Sequence, residues 1–145
     1  MLKKRLIPKL LFSWRKTYAG IKPVLVVTNK FTASRAIGDP LSQAKIFQSN
    51  LADELLLINL DNSEVSWPIF LKTLTSISTA LSTPLAVGGG IRNFDQVKSL
   101  FSSGADKVIL NTGAIEKPSL ITEVASVYGS QGVIVNIDYQ KSSNS

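Results

Sequence analysis

Short continuous apolar runs constrain this chain most. They are Leu55-Leu-Leu-Ile-Asn-Leu60, Pro84-Leu-Ala-Val87, Lys107-Val-Ile-Leu110 and Gly132 to Ile137. Runs of this length suit strands buried on both faces. Between them the apolar residues recur at helical spacing. Asp39-Pro40 predicts a helix start, because Asp caps free amides and Pro fits a first turn whose N–H groups have no partner. Leu41, Ala44, Ile46 and Phe47 follow it. Pro68 predicts the next start, with Ile69, Leu71, Leu74, Ile77 and Leu81 as its stripe. Asn93 with Gln96 three residues on is a capping-box pattern, followed by Val97, Leu100 and Phe101 and ended by Gly104. Pro118 predicts a fourth helix, with Leu120, Ile121, Val124 and Val127, ended by Gly129. Strands alternating with helices predict parallel βαβ units.

The first third is harder to read. Arg5 to Leu11 suits a strand, residues 12–24 read as an irregular basic stretch with Gly20 and Pro23, and Leu25 to Val27 is a short apolar run. Residues 1–35 carry nine basic side chains and no acid, while the remaining residues hold seven basic and ten acidic groups, a net charge of −3. A solvated basic loop, able to attract an anionic substrate, explains this head better than a nucleic-acid patch. Lys9 interrupts the apolar stretch, so a secretory signal does not fit. No apolar run approaches the ~20 residues of a membrane span. A cytoplasmic protein without membrane or nucleic-acid partners is expected.

Composition then narrows the chemistry. With no Cys and no His, there is no thiolate nucleophile, no Ser-His-Asp triad and no imidazole base or metal ligand. Carboxylates, Lys, hydroxyls and backbone amides remain. In α/β folds ligands bind at the C-terminal ends of strands, which here are Leu11/Phe12, Asn59 to Asn62, Gly88 to Ile91, Asn111-Thr-Gly113 and Asp138. Gly88-Gly-Gly90 lacks the spacing of a dinucleotide loop or a P-loop. Its amides, with those and the hydroxyl of Thr112, suit either a phosphate nest or a tight turn without a ligand. Asp138 suits either an acid–base group or a cap; Asp61 and Glu64 are further strand-exit carboxylates. Asn59 stands where an inward carboxylate would be useful. Arg5, Glu54 and Lys107 fall at strand beginnings, where plain salt bridging is the simpler reading.

In order along the chain stand Arg5-Leu-Ile-Pro8, Gly38-Asp-Pro40, Asp53-Glu-Leu55, Val87-Gly-Gly-Gly-Ile91, Gly104-Ala-Asp-Lys-Val108, Asn111-Thr112, Gly129-Ser-Gln131 and Ile137-Asp138. This series resembles the cyclase subunit of imidazole glycerol phosphate synthase, a βα barrel of histidine biosynthesis. The resemblance implies a TIM-type (β/α)8 barrel present as a half-barrel. Residues 1–140 would supply about four βα units plus a fifth strand of a ribulose-phosphate-binding-type barrel, with 141–145 a polar tail. A length of 145 residues is about 100 short of the ~250 that a complete barrel needs.

The resemblance also implies a reaction and its residues. A glutaminase subunit delivers ammonia at the bottom of the barrel. The ammonia crosses the interior and attacks a ribulosyl phosphate at the top, yielding imidazole glycerol phosphate and an aminoimidazole carboxamide ribonucleotide. Asp138 matches the fifth-strand catalytic Asp. Gly90, Asn111 and Thr112 match a phosphate site, and Arg5, Glu54 and Lys107 match three of four residues gating ammonia. No metal or other cofactor is implied.

The departures from the family pattern are specific. Leu11 replaces the first catalytic Asp, Val27 aligns with the family's Lys after an insertion in 12–24, and Asn59 replaces a second-strand Asp. These imply an impaired cyclase. The Leu-rich start Arg5-Leu-Ile-Pro-Lys-Leu-Leu11 and Lys30-Phe31 also resemble cyclase-like proteins of surface-polysaccharide loci. That branch implies a non-cyclising ammonia-delivery partner of a glutaminase-like protein in sugar amidation. A homodimer of half-barrels and a truncated inactive product are further expectations.

Overall fold

A computed structural model describes residues 2–29 and 33–141. Lys30-Phe31 and tail residues 142–145 lie outside the described residues. The strands are β1 (Lys9–Thr17), β2 (Gly20–Asn29), β3 (Ala33–Gly38), β4 (Leu55–Asn59), β5 (Leu85–Gly88), β6 (Lys107–Leu110) and β7 (Val133–Val135). The helices are α1 (Pro40–Ser49), α2 (Ser66–Ala80), α3 (Phe94–Ser102), α4 (Thr112–Glu116) and α5 (Ser119–Tyr128). One seven-stranded sheet runs in the order β3-β2-β1-β4-β5-β6-β7. The five strands from β1 through β4 to β7 are parallel, and β2 and β3 add antiparallel to β1.

The helix starts follow local chemistry. Asp39 accepts from the Ser42 amide at 2.9 Å with Pro40 as the first helical residue. Asn93 accepts from the Gln96 amide at 2.9 Å, while the Gln96 side chain reaches back to the Arg92 amide at 2.8 Å. Helix α2 begins two residues before Pro68, at Ser66. Pro68 is tolerated there because first-turn amides have no intrahelical acceptor. Short α4 was not expected from the pattern, and the last strand shrinks from 132–137 to Val133–Val135 behind a 3-10 turn at Ser130–Gly132.

The largest correction concerns the first third. The strand expected over Arg5 to Leu11 instead runs Lys9–Thr17, and residues 12–24 lie almost wholly in a β-hairpin with β2 rather than in an irregular loop. Pro23 looked like a breaker. However, β3 pairs with β2 only from Leu25 to Asn29, so Pro23 sits where β2 is an edge, the position in which Pro is tolerated. Residues ahead of β1 are still tethered: the Leu6 amide donates to the Asp53 carboxylate at 2.8 Å, and the Leu56 amide to the Pro8 carbonyl at 2.9 Å.

Strand alternation divides the sheet into two faces. Leu55, Leu57, Leu85, Val87, Val108 and Leu110 are buried in the main core. Phe70, Leu74 and Ile77 from α2, Val97 and Leu100 from α3, and Leu120 and Val124 from α5 complete that core. Burying each such side chain contributes about 1.5–3 kcal/mol. The Phe12 ring meets Phe70 edge-on at 5.4 Å, which fixes β1 against α2. On the opposite face the register aligns Val26, Leu11, Ile58, Gly88, Ile109 and Ile134 in a single row across six strands.

Candidate functional site

Four members of that row, Leu11, Ile58, Ile109 and Ile134, line a cavity of about 480 Å³. Its polar lining comes from the C-terminal ends of the parallel strands, including Asn59, Asn111, Thr112, Asn136 and Asp138. The parallel ladders bring these ends together, because each strand leaves the sheet on the same side.

Asn111 and Asp138 are joined directly. The Asn111 side-chain amide donates to Asp138 Oδ2 at 2.6 Å, and Asn136 Nδ2 lies 3.4 Å from Oδ1. Asp138 comes three residues after β7 rather than at the strand's last residue. Asn136 keeps the chain on course, since its amide donates to the Leu110 carbonyl at 2.8 Å.

Asn59 is buried and uses both ends of its amide. Its Oδ1 accepts from Trp14 Nε1 at 3.2 Å and from the Asp61 amide at 3.3 Å, while its Nδ2 donates to Asn62 Oδ1 at 2.8 Å. A carboxylate in its place would have no proton for Asn62. Trp14 and Asn136 are not singled out by the sequence, which marks Asn62 only as the end of the Asn59 to Asn62 strand exit. The signal for Trp14 is its alternation with Phe12, obscured by Arg15 and Lys16 directly after it.

The glycines have a protein-internal reason to be glycine. Gly90 has φ +64, and a Cβ there would run into the Asn62 side chain. A Cβ on Gly89 would meet the backbone of Asn59, and one on Gly113 the carbonyl of Ile91. The turn after β5 therefore packs against the turn after β4 on one side and against α4 on the other. This close packing satisfies the tight-turn reading and brings Gly90 and Thr112, both exposed, to the same cavity.

At the N-terminal ends of the strands, Arg5, Glu54 and Lys107 converge. Glu54 is only 2% exposed. Arg5 Nη2 reaches its Oε2 at 2.7 Å, and Lys107 Nζ reaches Oε1 at 2.9 Å and Oε2 at 3.2 Å. Neighbouring Asp53 has its carboxyl held below the usual range, first by the Leu6 amide and then by Lys3 and Arg5. Asp61 is used locally, accepting from the Ser63 amide at 3.0 Å. Among the described residues no cluster of three or more His, Cys, Asp or Glu forms a metal site, and no helix is long and apolar enough to cross a membrane.

Residues 20–144 match the family model described as "Histidine biosynthesis protein". The chain is 58% identical over 144 residues to "Putative imidazole glycerol phosphate synthase subunit hisF2" of Prochlorococcus marinus (strain MIT 9313), covering 99% of this chain and 55% of that protein. It is 38% identical over 141 residues to "Imidazole glycerol phosphate synthase subunit HisF" of Dictyoglomus turgidum, covering 97% of this chain and 53% of the relative. The same-named subunit of an Exiguobacterium species is 40% identical over 138 residues, covering 95% and 51%. The chain thus spans about half the length of the curated relatives it matches. Four βα units, a fifth parallel strand and these matches together make the chain a TIM-type half-barrel that belongs to the histidine-biosynthesis protein family.

Proposed function

We propose that the chain serves a cyclase of the imidazole glycerol phosphate synthase type. It binds a phosphorylated small molecule at the C-terminal ends of its strands and receives ammonia from a glutaminase at the opposite end. The observation that carries this reading is the meeting of Asn111 with Asp138 at 2.6 Å in a cavity that Gly90 and Thr112 also line. The Gly90 and Thr112 amides and the Thr112 hydroxyl are donors for phosphate oxygens. Asp138 is the group that moves protons on the substrate. Arg5, Glu54 and Lys107 form the ammonia gate, and ammonia passes along the sheet face floored by Ile58 and Ile109.

Leu11 makes the acid–base set incomplete. A hydrocarbon side chain moves no proton, and loss of one general acid or base costs about 10²–10⁴ in rate. Purified chain is given free ammonium and the ribulosyl phosphate substrate, and binding and turnover are followed separately. The expected result is binding with turnover reduced by that factor, a gain in Leu11→Asp, and loss of the remainder in Asp138→Asn. Failure to bind the phosphorylated substrate would sink the proposal.

A second reading rests on the same Leu11, which completes the apolar row with Ile58, Ile109 and Ile134. In it the chain is a non-cyclising ammonia-delivery partner of a glutaminase-like protein in sugar amidation. Glutaminase binding with no gain of turnover in Leu11→Asp favours this reading. A second copy covering the row is the self-association either reading allows, and sedimentation tests it. A cytoplasmic location goes with a cysteine-free chain that works on a phosphorylated metabolite.

A further inference from the structure

The β1–β2 hairpin holds two cations in a costly arrangement. Arg15 and Lys22 are direct cross-strand partners in the antiparallel register. Like charges directly opposite each other destabilise a sheet. Neither side chain has an ion pair or hydrogen bond among the described residues. Both are exposed.

Register also fixes the face they occupy. Phe12 and Trp14 turn toward α2, where both rings meet Phe70 edge-on at 5.4 and 6.4 Å. Leu11, Ser13 and Arg15 therefore share the other face, with Val26, Val24 and Lys22 as their partners. Leu11 on that face lines the cavity. At ~3.3 Å per residue, Arg15 stands roughly 13 Å beyond Leu11 along the strand. Asn111 stands roughly 7 Å beyond Ile109, which is level with Leu11. The cation pair thus lies on the cavity's face of the sheet, outside the residues that line the cavity, roughly 7 Å further along the strand direction than Asn111 and three strands across from it.

We propose that Arg15 and Lys22 form an anion subsite that holds a phosphate or carboxylate group of the small molecule bound in the cavity. The bound anion offsets the repulsion between the two cations, which explains why the pair stands without an acidic neighbour. A polyanion track fits less well, because the chain after residue 35 carries a net charge of −3. The subsite relies on the proposed function only for the ligand's other end, so the two are tested separately.

Inorganic phosphate is titrated at low ionic strength while backbone amide resonances are followed. Wild type is compared with Arg15→Gln/Lys22→Gln and with Lys45→Gln/Lys72→Gln, which removes two exposed charges from α1 and α2. The expected result is a saturable response at residues 13–15, 22 and 24, weakened at least tenfold in the hairpin variant and unchanged in the control. Response at Gly90 and Thr112 reports the phosphate site of the proposed function. If the hairpin responds and those residues do not, the subsite stands and that phosphate site falls. A silent hairpin would overturn the subsite, and so would equal weakening by the control variant. Saturable hairpin binding of a single-stranded oligonucleotide that phosphate does not displace would also overturn it, in favour of a polyanion surface.

Discussion

The two ends of the parallel strands use polar residues in opposite ways. At the N-terminal ends, Glu54 is buried and its carboxylate oxygens are occupied by Arg5 and Lys107. Charges there are spent on one another. At the C-terminal ends, amides and hydroxyls predominate, and Asp138 is held by Asn111 in an exposed contact. Polar groups there remain available to a ligand. One end is therefore set by mutual neutralisation and tolerates little change, while the other is set by packing of turns and tolerates change at its exposed groups.

The contrast breaks first at Lys107. Lys107→Met leaves a buried carboxylate with one cation, a change that costs 3–5 kcal/mol at fully buried pairs. Lys107 is 28% exposed, so about 2–3 kcal/mol is expected after allowing for solvent screening. Asp138→Asn at the other end should cost under about 0.5 kcal/mol, as surface substitutions do. Urea unfolding of both variants measures the difference, and equal losses would erase the distinction between the ends.

Gly90→Ala probes the turn packing at the C-terminal ends of the strands. The left-handed backbone costs a side chain about 1–2 kcal/mol, and the Cβ also meets the Asn62 side chain. A total of about 2–3 kcal/mol is expected. Adding Asn62→Ala should recover only the steric part, which a double-mutant cycle separates from the backbone part.

Trp14→Phe sharpens the account of Asn59. It keeps the ring near Phe70 but removes the donor to Asn59 Oδ1, which still accepts from Asp61. A loss of about 1 kcal/mol is expected, read from thermal unfolding, with a shift of the Asn59 side-chain amide resonance.

The smallest effect lies at Asp53. Its carboxyl titrates below the ordinary 3.8 in the folded chain. Its contribution is present in full above the unfolded value and fades as pH falls through the lowered folded value. The tether from Leu6 should therefore loosen only in strong acid, below pH 3.8. The protection factor of the Leu6 amide, its exchange rate relative to the intrinsic rate at each pH, reads this, and Asp53→Asn should remove the acid step.

Much of the architecture is legible in the sequence. Asp39-Pro40 and Asn93-x-x-Gln96 carry their reasons within one helical turn. Leu55 to Ile58 and Val108 to Leu110 announce buried strands by composition alone. Residues 12–24 were not legible, because charged side chains on an edge hairpin mask the alternation of Phe12, Trp14, Pro23 and Leu25. The glycines after β5 read in sequence as a tight turn or an anion nest, and the structure shows the tight turn. Their actual neighbours, Asn59 and Asn62, lie far back in the chain and leave no mark on the Gly-Gly-Gly pattern.

By itself, then, the sequence determined the alternation of strand and helix, the caps, and which strand ends carry the polar residues. These depend on periodicity and on contacts a few residues long. Tertiary structure alone decided that Arg5 and Lys107 meet Glu54 across separations of 49 and 53 residues, and that Trp14 supports Asn59 across 45. Sheet register brought those groups together, and register is set by the packing of whole faces rather than by any local signal.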